Sequence, residues 1–211
     1  MNSPLAYLKD KHLEAWIGGW ARHLLASRQA PRPSGPRHLL FCYCDHWEPL
    51  WNQVSDSVAD ARVATWAEQY PKLAADFRDS EGRSPKHSFF FPGEQYRPRW
   101  LDTLADFTKR GLGEVELHLH HDGDTRAKLK DDLLRYLGEL GSHGHLPRDP
   151  DGRLRYAFIH GNWCLANARA DGDWCGVDEE IPLLFDTGCY ADFTFPAAPS
   201  EVHYANAHGQ S

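Results

Sequence analysis

Short apolar runs of strand length alternate with longer segments of helical periodicity, and this alternation limits the fold more than any other feature of the sequence. The strand-like runs lie at 38–44, 87–91, 114–121 and 156–160, with a fifth expected near 183–186 or 190–195. The helical segments lie at 58–77, 99–110 and 124–141. Strands separated by helices are typical of parallel strands joined by crossover helices. We therefore predict an α/β fold, either an open doubly wound sheet or a barrel.

The first 37 residues differ from the remainder of the chain. Ser3 followed by Pro4 is typical of a helix start, and apolar residues then recur at helical spacing. Residues 29–37 contain three prolines and one glycine, which end that helix. We predict an N-terminal helix and Pro-rich linker over 1–37 and a single β/α domain over 38–211, a length that suits one substantial core.

The charge balance and the cysteines narrow the class of protein. Lys and Arg total 23 against 30 Asp and Glu, a net charge of -7 that argues against nucleic acid and anionic membrane as partners. No secretory signal and no apolar stretch of about 20 residues is present. The five cysteines are an odd number without zinc-finger spacing, so we expect free thiols and a cytoplasmic protein. Cys42 and Cys44 fall in the first predicted strand, where we expect them to be inert core residues.

Polar side chains gather where the predicted strands end. They are Asp45, His46 and Glu48 after the first strand, Glu94 after the second, the segment 118–124 at the third and His160 at the fourth. In parallel α/β folds ligands bind at this edge of the sheet. The chain also has 13 histidines, and His is both the commonest metal ligand and the proton carrier of neutral pH. The pattern predicts a metal-binding, hydrolytic site.

The third strand is the strongest source of metal ligands. Strand periodicity places Glu116, His118 and His120 on one face. Asp122 follows in the turn and adds a hard oxygen ligand beside the nitrogen donors, a set that suits Zn²⁺, Mn²⁺, Fe²⁺ or Co²⁺ better than Ca²⁺. The alternative is a solvated His-rich strand end, with Asp124 only capping the next helix.

The other candidates each have a structural alternative. Asp45 and Glu48 fit a general base beside a ligand, or a polar turn. Glu94 either contributes to the site or starts a helix. His160 either lines the pocket or is a buried structural histidine, and Trp163 offers a platform for a sugar ring. We take Glu48, Glu94 and Trp163 as candidate substrate-binding residues.

The order of these motifs resembles that of a known group of enzymes. The motifs are Asp45-His46, the Ser-Phe-Phe-Phe-Pro-Gly run at 88–93, the Glu-Val-Glu-Leu-His-Leu-His-His-Asp run at 114–122, and the segments 158–163 and 188–196. Over roughly residues 38–200 the chain resembles the NodB-type polysaccharide deacetylases and the wider glycoside hydrolase/deacetylase β/α-barrel group. The resemblance implies a partial or distorted (β/α) barrel. A complete barrel of that group has about seven strands, so we expect either a truncated chain or an open, partial barrel whose last strand edge is covered by the N-terminal helix or by a second copy of the chain.

The resemblance also implies roles for individual residues. It makes Asp45 the general base and makes His46, His118 and Asp122 metal ligands. His120 is a reserve ligand, and His160 is a candidate acid for the leaving amine. Two positions depart from the family pattern, because His46 replaces a second Asp and Asp122 replaces a His. Both replacements keep a group that can bind a metal.

Three functions follow from this reading. The first is a metal-dependent hydrolase acting on a carbohydrate amide, an N-deacetylase with Zn, Mn or Co. The second is a glycoside hydrolase that uses a carboxylate pair, Asp45 or Glu48 with Glu94 or Asp192. The third is a non-catalytic carbohydrate-binding protein on the same scaffold.

Overall fold

The computed structural model describes residues 13–29, 34–169 and 171–194. The chain divides into two compact units after residue 41. In the first unit, helix α1 spans Leu13–Gln29. The helix start predicted at Ser3 and Pro4 lies outside the described residues. None of the described helices has the length and apolar character needed to cross a membrane.

The second unit is built on one parallel sheet. Its described strands are β1 (Tyr43–His46), β2 (His87–Pro92), β3 (Gly113–Leu119), β4 (Tyr156–His160) and β5 (Cys189–Asp192). Each strand pairs in parallel with the next, so the spatial order is β1-β2-β3-β4-β5. The α/β class predicted from the alternating pattern is confirmed.

Four helices connect the strands, and capping residues mark the ends of two of them. Within the described part of the second unit they are α2 (Asp56–Ala75), α3 (Pro98–Lys109), α4 (Arg126–Ser142) and α5 (Glu180–Thr187). Thr125 caps α4 by accepting a hydrogen bond from the Lys128 N–H. Gly188, in the left-handed conformation, ends α5 directly before β5. Because all five strands run in parallel, their carboxyl ends lie at the same edge of the sheet.

Two predicted strands differ from the structure. The first strand begins at Tyr43 rather than at residue 38, and Tyr43 lies opposite His87, the first residue of β2. Cys42 and Cys44 are exposed, not buried in the core as predicted. The segment 183–186 belongs to α5, and the fifth strand is Cys189–Asp192.

The two faces of the sheet differ in what they carry. Phe89, Phe91 and Leu117 lie on one face and pack in the hydrophobic cores formed with the helices. Burial of each such side chain contributes about 1.5–3 kcal/mol to stability. On the other face, the strand register places His46 beside Phe90 and His118 beside Ile159. Two imidazoles from β1 and β3 therefore project from one face at one edge of the sheet.

Candidate metal centre

His118 lies at the end of β3 and has a fixed tautomer. Its side chain is fully buried, and Nδ1 lies 3.0 Å from the Ile159 carbonyl oxygen. A carbonyl oxygen only accepts a hydrogen bond, so Nδ1 carries the proton. Burial lowers the pKa of His118, which favours the neutral ring. The free lone pair is then on Nε2, which is the arrangement that second-shell carbonyls impose on metal-binding histidines.

Glu48 brings a carboxylate to that lone pair. The chain turns sharply after β1, where the Glu48 N–H donates to the His46 carbonyl oxygen at 3.0 Å. Glu48 Oε1 then lies 3.2 Å from His118 Nε2 and 3.4 Å from His46 Nδ1. Burial opposes ionisation of Glu48, but hydrogen bonds with His118 and His46 outweigh it and lower its pKa to about 2. A hydrogen bond between Glu48 Oε1 and His118 Nε2 requires a proton on Nε2, so either that proton or a cation lies between the two atoms.

His46, Glu48 and His118, which we call the edge cluster, could hold a metal ion. Bonds of about 2.1 Å at tetrahedral angles separate neighbouring ligand atoms by about 3.4 Å. The two contacts of Glu48 Oε1, at 3.2 and 3.4 Å, are close to that separation. Two lone pairs that face each other at such a distance repel unless a proton or a cation lies between them. The geometry suits a cation.

His120 and Glu94 form a second polar pair beside the edge cluster. His120 Nδ1 lies 2.6 Å from Glu94 Oε1, and His120 Nε2 lies 3.8 Å from Glu48 Oε1. About a third of each side chain in the pair is exposed. Burial lowers the pKa of His120, but the hydrogen bond to Glu94 and its charge outweigh burial and raise it. This pair can exchange a proton with solvent at the rim of the site.

Two glycines lie close to side chains around His120 and Glu94. A Cβ on Gly161 would lie 2.3 Å from the His120 ring, and a Cβ on Gly93 would lie 2.4 Å from the Tyr136 ring. Gly93 directly precedes Glu94 in a single 3-10 turn after β2. Only glycine at these two positions allows His120 and Glu94 their observed placement.

A second group, the buried cluster, lies at the same edge of the sheet. It consists of His121, His160, Cys175 and Glu180, and these residues could hold a metal ion. Their potential ligand atoms lie within 4.8 Å of one another. Burial lowers the pKa of His160 to about 3, and burial together with the charge of Glu180 raises the pKa of the Cys175 thiol.

The structure gives Asp45 and Asp122 other neighbours. Strand alternation turns Asp45 to the face opposite His46, where its Oδ1 accepts a hydrogen bond from His87 Nε2 at 3.0 Å. Asp122 Oδ1 accepts the Trp174 N–H at 2.6 Å. The roles of Asp45 as base and Asp122 as ligand stay predictions, and neither residue belongs to the two clusters.

Two exposed tryptophans lie in the loop that follows β4. Trp163 is 45% exposed and Trp174 is 38% exposed, and both have positive φ angles. The Asn162 side chain joins their loop to the end of β3 by donating to the carbonyl oxygens of His121 and Trp174. Trp163 was a candidate from the sequence, whereas Trp174 was not.

Sequence reasoning also missed Cys175 and Glu180, and it interpreted Glu48 as a substrate contact rather than a potential ligand. Glu180 follows Asp178 and Glu179, a run that looks like a solvated helix start. One signal was present, since the next residues form the apolar run Ile-Pro-Leu-Leu-Phe. Such a run predicts that one side of the first helical turn is buried.

No protein-family model, curated protein or solved structure matches this chain. The resemblance to the polysaccharide deacetylases therefore stays a prediction based on its motifs.

Proposed function

We propose that the protein is a metal-dependent hydrolase acting on a carbohydrate amide, with the edge cluster as its metal site. The observation that supports the proposal most directly is the approach of His46 Nδ1 and His118 Nε2 to a single Glu48 oxygen at ligand separations. Two imidazoles and one carboxylate are a ligand set that hydrolytic zinc sites use. The set also leaves room for a further ligand, because the His46 side chain is 32% exposed.

A divalent cation bound there would polarise a carbonyl group and lower the pKa of a water molecule. His118 holds its position through Ile159, so its Nε2 cannot turn away from the cation. The negative charge of Glu48 would offset part of the positive charge of the cation. The residues thus supply the orientation and the charge balance that amide hydrolysis needs.

His120 and Glu94 are the groups we assign to proton transfer. With Nδ1 donating to Glu94, the ring presents Nε2 toward Glu48 and the edge cluster. An imidazole held this way takes a proton at Nε2 and delivers it to a leaving amine. We prefer this pair to Asp45 as base and His160 as acid, because Asp45 faces the other side of the sheet and His160 is fully buried.

The substrate class rests on an exposed aromatic side chain in the loop that follows β4. Trp163 exposes its ring in the loop that follows β4, whereas the Arg169 guanidinium lies over the ring of Trp174, 4.2 Å from its centroid. Aromatic faces pack against the apolar faces of sugar rings, while the net charge of -7 disfavours phosphate-rich polymers. We therefore propose an N-acetylated amino sugar as the substrate.

The metal content of the purified protein tests this assignment. We expect His118→Ala to lose one equivalent of bound Zn²⁺ or Mn²⁺ and to lose hydrolysis of N-acetylglucosamine oligomers. The matched control is His145→Ala, since His145 is also buried and also bonds to a backbone carbonyl, that of Leu101 at 3.1 Å. Equal metal content in the wild type and in the His118 variant would remove the edge cluster as a metal site.

A glycoside hydrolase is the second candidate, because Glu48 and Glu94 lie on either side of one His120 ring. Two carboxylates that flank a cleft can act as acid and nucleophile without a metal. Chelation separates the two candidates. An amide hydrolase should lose its activity in excess EDTA and regain it with added Zn²⁺ or Mn²⁺, whereas a carboxylate-pair glycosidase should be unaffected.

A further inference from the structure

We propose that the buried cluster is a second, structural cation site of the zinc class, with His121 Nε2, the Cys175 sulfur and the Glu180 carboxylate as its ligands. This site is separate from the edge cluster and does not depend on the proposed function. A thiolate ligand distinguishes it, because the edge cluster offers only nitrogen and oxygen. Thiolate and imidazole together favour zinc over magnesium or calcium.

Glu180 is the centre of the arrangement. It is fully buried at the start of α5, with Oε1 2.9 Å from His121 Nε2 and Oε2 3.2 Å from the Cys175 sulfur. Zinc bonds to nitrogen, oxygen and sulfur separate such ligand atoms by about 3.4–3.6 Å. The observed contacts are within about half an ångström of these values, so a small outward movement of the three side chains admits the cation.

His121 has the second-shell partner that zinc-binding histidines usually have. Its Nδ1 and Asp124 Oδ2 are both buried without a hydrogen-bond partner, and they lie 3.6 Å apart. Lys128 holds the other oxygen of Asp124 at 2.7 Å. With its proton on Nδ1, turned toward Asp124, the ring directs the lone pair of Nε2 at Glu180. A carboxylate that orients a ligating histidine in this way is a common feature of zinc sites.

His160 has a different role. Its Nδ1 accepts the Asn162 N–H at 3.1 Å, so the neutral ring carries its proton on Nε2. That nitrogen is fully buried, lies 3.9 Å from Glu180 Oε1 and has no partner within the described residues. A protonated nitrogen does not bind a cation, but it donates a hydrogen bond to a water that completes the coordination. His160 therefore supports the site from outside the ligand set.

Hydrogen bonds alone account for the cluster less well. Without a cation, Glu180 accepts from His121, from the Cys175 S–H and from the Ala166 N–H at 2.7 Å. That network leaves His160 Nε2 and His121 Nδ1 buried and unpaired, which is costly in a low-dielectric interior. With a cation bound, His121 Nδ1 would donate to Asp124 and His160 Nε2 would donate to a water on the cation. The Cys175 thiol loses its proton to solvent in the process.

The site would tie a strained loop to the sheet. Among the described residues of the loop at 161–176, four that are not glycine have positive φ, which are Trp163, Ala166, Asn167 and Trp174. Backbone strain of this kind persists only where surrounding contacts hold it. A buried cation with ligands from the end of β3, from the loop and from α5 would fix the loop to the sheet and to the helix.

Cobalt(II) absorption spectroscopy tests the proposal, because a thiolate bound to Co²⁺ gives a near-ultraviolet charge-transfer band that nitrogen and oxygen ligands do not. The parent protein carries Cys42→Ala and Cys44→Ala, which removes the two exposed thiols. We expect Co²⁺ added in excess of both proposed sites to produce the band in the parent, and we expect complete loss of the band in Cys175→Ala. Cys164→Ala is the matched control, since Cys164 is equally buried but lies outside the cluster, and it should keep the band.

Two outcomes overturn the proposal. One is a folded parent that gives no thiolate band with Co²⁺, and the other is a band that persists in Cys175→Ala. If Cys175→Ala does not fold, the parent spectrum alone decides the matter. His118→Ala separates this inference from the proposed function, because it should keep the band while losing the metal of the edge cluster.

Discussion

Glu48→Ala is expected to lower kcat/KM for hydrolysis of N-acetylglucosamine oligomers by about a thousandfold, which corresponds to about 4 kcal/mol of lost transition-state stabilisation. Glu48 Oε1 lies 3.2 Å from a ring nitrogen of His118 and 3.4 Å from a ring nitrogen of His46. Its removal leaves two imidazoles, which bind a divalent cation weakly and offset none of its charge. We therefore expect loss of metal and loss of activity together.

Glu114→Ala is the matched control for that measurement. Glu114 is an exposed glutamate near the start of β3, at the opposite end of the strand from His118, where it accepts a hydrogen bond from Ser88. Its replacement should leave kcat/KM within about threefold of the wild type. A Glu48→Ala protein that keeps both its metal and its activity would show that the edge cluster is not the catalytic site.

Glu180→Ala is expected to reduce the free energy of unfolding by about 3–5 kcal/mol, the usual effect of removing one member of a buried charged network. Burial raises the pKa of Glu180, but the hydrogen bond from His121 and the interactions with the neighbouring imidazoles outweigh burial and lower that pKa. The carboxylate is thus ionised in the fold, and its loss leaves His121, Cys175 and the Ala166 N–H without their acceptor. Urea denaturation followed by circular dichroism measures the change.

The neighbouring residue provides the control for this second prediction. Glu179 is exposed, and its side chain makes no capping hydrogen bond at the start of α5. Glu179→Ala should change the free energy of unfolding by less than about 0.5 kcal/mol. Similar unfolding midpoints for the Glu179 and Glu180 variants would mean that the buried cluster contributes little to stability.

The sequence predicted the sheet well where strands are buried and periodic. Runs such as Ser88–Phe91 and Tyr156–His160 are long enough and apolar enough to identify core strands on their own. The first strand was misplaced because an apolar run shows no register. Only the pairing of Tyr43 with His87 determines where that strand begins.

The candidate site was predictable to the extent that it follows strand periodicity. His118 and His46 were expected at one sheet edge, and the structure brings their ring centroids within 4.3 Å. The role of Glu48 depends on a tight turn after β1 that returns its carboxylate to the sheet, and no residue spacing indicates such a turn. Glu180 meets His121 across 59 residues of sequence, a contact that only the fold creates.

Anomalous X-ray diffraction tests the central claim most directly. Crystals grown with Zn²⁺ and measured at the zinc absorption edge should show a peak bounded by His46 Nδ1, Glu48 Oε1 and His118 Nε2, at about 2.1 Å from each atom. Loss of that peak in His118→Ala crystals would complete the assignment. Well-ordered side chains at all three residues without a zinc peak between them would contradict it.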